Sequence, residues 1–114
     1  MKKNKEFLKE TMERIENYGK ANPELMGAFS QVHRIGTNSG ALSQKNKALI
    51  ALGISIGVRW EGCIAMHIQE ALQNGATNDE VVETIGTAIY MGGGPSVVYG
   101  AKAYDMLKEF EQTK

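Results

Sequence analysis

Thr77-Asn78-Asp79-Glu80-Val81-Val82-Glu83-Thr84-Ile85-Gly86-Thr87-Ala88-Ile89 is the stretch on which the fold class turns. Its β-branched residues favour strands by type. Their order does not: Val81, Val82, Ile85 and Ile89 fall at helical spacing rather than alternating. Thr77 and Glu80 form a capping box, in which hydroxyl and carboxylate each satisfy a backbone N–H that the first turn leaves orphaned. The stretch is therefore a helix with a sharply specified start.

The flanking segments read the same way. Glu61 to Gln73 carries Cys63, Ile64, His67, Ile68, Ala71 and Leu72 on helical spacing, and Asn74-Gly75 supplies a stop. Ser43 is the N-cap of the preceding helix, where Ala48-Leu49-Ile50-Ala51-Leu52, Ile54, Ile56 and Val58 are apolar almost all round. Such a helix belongs at the centre of the fold or in a subunit contact. Asn22-Pro23 opens an earlier helix with the stripe Leu25, Phe29, Val32 and Ile35, closed by the polar cluster Gly36 to Gly40. Lys5 to Tyr18 is amphipathic through Phe7, Leu8, Met12, Ile15 and Tyr18, with Gly19 as its stop. Beyond Gly92-Gly93-Gly94, Pro95 opens a last helix with Val97, Val98, Ala101, Tyr104, Leu107 and Phe110, and residues 111–114 are expected to fray. The fold class is all-α with about six helices, in a single domain over residues 1–114. Small residues through the later helices, among them Gly53, Gly57, Gly86 and Gly100, lower helix propensity and imply close backbone approach between helices or subunits.

Composition narrows the function. With 114 residues, 42% hydrophobic and 23% charged, the chain is the size of one ordinary domain. Thirteen basic and thirteen acidic residues cancel, and no run of five or more like charges occurs, so no footprint for nucleic acid or an anionic membrane is present. The nearly apolar run Ala48 to Val58 is far short of the roughly 20 residues a spanning helix needs. The basic start leads into an amphipathic segment rather than a signal core, and one unpaired cysteine suits a reducing compartment, so a cytoplasmic location is expected.

Cys63 is the single cysteine, and His67 follows it by four residues. On a helix that spacing places the two Cβ atoms roughly 5–6 Å apart, where an imidazole can take a thiol proton. Cys63 also lies in the first turn, where the helix dipole lowers a thiol pKa, as a neighbouring imidazole does. Glu70 shares the stripe and has the spacing to orient His67, but is read as facing solvent. His33 is read as a structural histidine. Cys63, His67 and His33 are too few ligands for a zinc site, so no metal or cofactor is expected. The Gly92-Gly93-Gly94-Pro95 turn lacks the Lys-Ser/Thr ending of a phosphate loop and is read as a helix corner. Trp60 is a candidate wall of an apolar pocket over the thiol, or an interface anchor.

From Leu42 to Phe110 the chain resembles the carboxymuconolactone decarboxylase and alkylhydroperoxidase AhpD-like family. The resemblance is carried by Leu42-Ser43, Lys45 and Lys47, then Gly62-Cys63-Ile64-Ala65 with His67, then Gly75-Ala76-Thr77 and Glu80-Val81, and by Met91-Gly92-Gly93-Gly94-Pro95-Ser96. Residues 1–40 are less diagnostic. The resemblance implies a helical domain assembling into trimers or hexamers. Its peroxidase members use a glutamate, a Cys-x-x-Cys pair beginning twelve residues later, and a histidine four after the second cysteine. Cys63 and His67 match the last two positions; Trp60 stands at the first cysteine and Ala48 at the glutamate. Oxidised Cys63 thus has no resolving thiol in its own chain.

The expected function is hydroperoxide reduction at Cys63, with His67 as base and acid, Glu70, Trp60 and Arg59 as supporting residues, and an external thiol as reductant. Lactone decarboxylation is the alternative, with His67 as acid or base and Arg59 holding a carboxylate. A non-catalytic helical oligomer that binds a small ligand is the third.

Overall fold

Side-chain caps at Asn22, Ser43 and Thr77 set three of the helix starts in the computed structural model, which describes residues 3–111. The order is α1 (Lys3–Ala21), α2 (Pro23–Thr37), α3 (Gln44–Val58), α4 (Glu61–Gln73), α5 (Asn78–Gly92) and α6 (Gly94–Glu111). No strand occurs among the described residues. The expected fraying of the tail falls on residues 112–114, outside that range; residue 111 is still helical.

The capping box of α5 is formed as read: Thr77 Oγ1 accepts from the Glu80 N–H at 3.1 Å, and Glu80 Oε1 accepts from the Thr77 N–H at 2.9 Å. Ser43 Oγ accepts the Asn46 N–H at 3.0 Å to start α3, and Asn22 Oδ1 accepts from Leu25 ahead of α2. Across the fold, Lys45 donates to Glu80 at 2.9 Å and ties the start of α3 to α5. The Glu109 carboxylate accepts the Asn4 and Lys5 N–H groups and fastens α1 to α6.

The core lies where α3 packs on α4 and α5, with α6 closing it. Leu52, Ile56, Ile64, Ile68, Val81 and Leu107 are fully buried at its centre. The apolar girdle of α3 divides: Ala48, Leu52, Ser55 and Ile56 face inward, while Ile50, Ile54 and Val58 face outward. In α2 the expected stripe exists, yet it buries nothing; Leu25, Phe29, Val32 and Ile35 are all exposed. No helix among the described residues is long and apolar enough to cross a membrane.

For α6 the structure corrects the expected stripe. Val97, Val98 and Tyr104 face outward, and the first half of the helix turns Ser96, Gly100 and Ala103 into the core instead. The cause is the close crossing of α5 over α6. A Cβ on Gly100 would stand 2.9 Å from Ile85 Cγ2 and 3.2 Å from Ile89 Cδ1, inside van der Waals contact. A Cβ on Gly92 would collide with the buried Ser96 side chain, so the glycine corner is a packing device. Gly57 and Gly86 have open space around them, so close approach between helices of the same chain does not account for them.

Gly100→Ala and Gly86→Ala should therefore diverge. The first is expected to lower stability by about 1–3 kcal/mol through overpacking against Ile85 and Ile89. The second should raise it by up to about 1 kcal/mol through helix propensity. Urea denaturation of both variants checks this, and equal effects would remove the close-crossing account.

Candidate functional site

Helix α4 positions the candidate site by the way it buries one stripe. Ile64, Ala65, Ile68 and Ala71 are fully buried. Cys63, His67 and Glu70 each precede a member of that stripe by one residue, so they lie about 100° round the helix from it, at the rim. All three are half-buried.

Trp60 is the N-cap of α4, with no side-chain cap, and its indole is 63% exposed. Arg59, in the left-handed conformation at φ 65°, ends α3 and lets the chain reverse into α4. The two residues form the hinge between helices, and neither shares a side-chain hydrogen bond or ion pair with Cys63, His67 or Glu70.

Glu70 does not face solvent. Its Oε1 pairs with His67 Nδ1 at 2.8 Å, and its Oε2 pairs with His33 Nε2 of α2 at 3.1 Å. The carboxylate thus bridges two imidazoles from helices 37 residues apart. Hydrogen bonding to His67 is the main cause holding its carboxyl below the usual carboxylate range, with the neighbouring His33 adding to it and burial opposing. An ionised carboxylate only accepts, so we assign both ring nitrogens as donors: Nδ1–H on His67 and Nε2–H on His33. His67 is left with Nε2 as a lone pair that no protein group among the described residues occupies.

Helical spacing alone allows the His67–Glu70 pair, but gives no sign of His33. No local pattern signals a contact between α2 and α4; only the fold brings those residues together.

The thiol departs from expectation in one respect. Burial pushes the Cys63 thiol above its ordinary value, and neither the helix start nor His67 offsets this. Cys63 is thus a neutral free thiol at rest. His67 directs its Nδ1 away from it, to Glu70.

Two clefts open elsewhere. One of about 620 Å³ lies between α3 and α5, lined by apolar groups including Ile50, Ile54, Val58 and Met91. Another of about 450 Å³ lies between α1, α4 and α6, with Lys5, Lys9, Gln69 and Gln73 around Leu8 and Phe110. Neither is lined by Cys63, His67 or Trp60. Among the described residues no cluster of three or more His, Cys, Asp or Glu side chains has the arrangement of a metal site; His33, Glu70 and His67 form a line rather than a shell.

Comparison with known proteins places this geometry in context. The model of the carboxymuconolactone decarboxylase family matches residues 23–106. A crystal structure of a carboxymuconolactone decarboxylase family protein from Legionella pneumophila superposes with a TM-score of 0.93 at 38% identity, covering 96% of this chain and 98% of that one. A Thermotoga maritima member of the same family, described with a suggested role in antioxidative response, gives a TM-score of 0.73 at 26% identity, covering 77% of this chain and 91% of that one. An uncharacterized protein of Cupriavidus necator is 35% identical over 85 residues, 75% of either chain.

Two titrations follow from the electrostatics. Because the folded state depresses the Glu70 pKa, its stabilising contribution is present above the unfolded value of about 4.3 and is lost as pH falls through the lower folded value. Urea denaturation across acid pH should show Glu70→Ala losing stability less steeply than the parent; parallel curves would contradict the bridging role. Alkylation of Cys63 by iodoacetamide should rise with a midpoint above about 8.5, the ordinary thiol value, and a midpoint below it would overturn the burial argument.

Proposed function

The chain belongs to the carboxymuconolactone decarboxylase family, and from that premise we propose that it is a thiol-dependent hydroperoxide reductase. The observation that carries the reading is the Glu70 carboxylate on His67 Nδ1 at 2.8 Å, one helical turn beyond Cys63. A carboxylate on one ring nitrogen makes the other a better proton acceptor, the logic of a base held by an orienting acid. Glu70 on α4 thereby takes over the part of the family glutamate, whose position is filled by Ala48 on α3.

The reaction runs in three balanced steps. His67 Nε2 takes the Cys63 proton, and the thiolate sulfur attacks the distal oxygen of a hydroperoxide. The O–O bond breaks, the sulfur is oxidised to sulfenic acid, and the departing alkoxide takes the proton from His67 to leave as an alcohol. An external thiol then displaces water to give a mixed disulfide, and a second external thiol releases Cys63 and leaves as the oxidised disulfide. The neutral resting thiol fits this scheme, since ionisation is then tied to the arrival of substrate. The suggested antioxidative role of the Thermotoga maritima relative points the same way. Exposed apolar groups on α2 and α3, among them Phe29, Val32, Ile50 and Ile54, support assembly of copies as trimers or hexamers.

A second reading, lactone decarboxylation with His67 as acid or base, is favoured by the same un-ionised, unpaired thiol. Consumption of an organic hydroperoxide with dithiothreitol as reductant separates the two. Cys63→Ser should abolish it, and His67→Ala should lower it about 10²- to 10⁴-fold, the usual worth of a positioned base. Lactone turnover that survives Cys63→Ser but not His67→Ala would replace the peroxidase reading with the lyase one.

A further inference from the structure

His33 lies outside every sequence motif, yet among the described residues it alone carries a side-chain hydrogen bond from α2 to α4. Helix α2 buries no side chain, and its remaining side-chain bonds stay within the helix or at its cap, so the contact is not a by-product of core packing. We propose that His33 is a positioning residue for the candidate site: by holding Oε2 of Glu70, it fixes Oε1 on His67 Nδ1 and locks His67 in the tautomer whose Nε2 accepts a proton. The proposal deepens the reading of His67 as the base and rests on it.

Glu70 has a rotatable side chain at the rim of the fold, where water competes for both oxygens. Bonding one oxygen to His67 leaves the carboxyl free to swing about that single bond. The second bond, from a different helix at 3.1 Å, removes that freedom and fixes the carboxyl plane. Tautomer choice is then the consequence. A free neutral histidine prefers the Nε2–H form, which would place a proton where the lone pair is needed. Only a well-held acceptor at Nδ1 reverses the preference. The titratable groups that face Glu70 are His67 from its own helix and His33 from α2.

The test is the tautomer of His67, read by long-range proton–nitrogen correlation on histidine-labelled protein at a pH where both imidazoles are neutral. The parent should show the Nδ1–H form as the majority species. His33→Ala should invert that ratio in favour of Nε2–H, and His33→Gln, whose amide N–H₂ is a replacement donor to Glu70, should restore it at least in part. Turnover should follow, falling about 10-fold in His33→Ala, the lower end of what outer partners of a working histidine contribute. An unchanged His67 tautomer in His33→Ala, or an Nε2–H majority in the parent, overturns the proposal. Because the tautomer is read without substrate, absence of peroxidase activity would defeat the functional reading while leaving this result standing or falling by itself.

Discussion

Burial of one stripe of α4 governs everything else at the site. Ile64, Ala65, Ile68 and Ala71 have no exposed surface, and burying such side chains contributes about 1.5–3 kcal/mol for each large one. That fixes the rotation of α4 about its axis. Once the rotation is fixed, Cys63, His67 and Glu70 have no choice of azimuth: they emerge together at the boundary between core and solvent. A one-residue change in the buried register would move all three by about 100°, into the core or away from it.

The boundary location explains the electrostatics. A thiol there is shielded enough to disfavour its charged form, and nothing beside it compensates. Glu70 feels the same burial but has two imidazoles against its oxygens, so hydrogen bonding wins over desolvation and the carboxyl moves the other way. Opposite shifts along one helix face thus come from a difference in partners, not in depth. The Glu70 carboxyl is thus favoured in its ionised form and the Cys63 thiol in its protonated form.

What the sequence reveals depends on whether the deciding contact is local. Caps are local, so Asn22, Ser43 and the Thr77–Glu80 box fixed three helix starts, and the Cys63–His67–Glu70 stripe was visible from spacing alone. The inward face of α6 was not. Apolarity pointed to Val97, Val98 and Tyr104, but at a close crossing the smallest side chains must face the partner, and Gly100 lies against Ile85 because nothing larger fits. His33 was hidden for a related reason: its partner is 37 residues away, and an exposed stripe on α2 gives no hint of which core helix it overlies.

The two departures from the family pattern have different physical meanings. Ala48 is buried against the core, so a glutamate there would take a carboxylate out of water and would need a fixed partner to stay charged. Trp60 stands in the open at the α3–α4 hinge, where a cysteine would have to turn inward to meet Cys63. With Ala48 in place, α3 packs there as a plain apolar helix face, and the carboxylate beside His67 is that of Glu70 at the half-buried rim of α4. There Glu70 keeps its charge through hydrogen bonds to His67 and His33, at a smaller desolvation penalty than a core position would impose. One of those two hydrogen bonds comes from α2, a helix that buries no side chain.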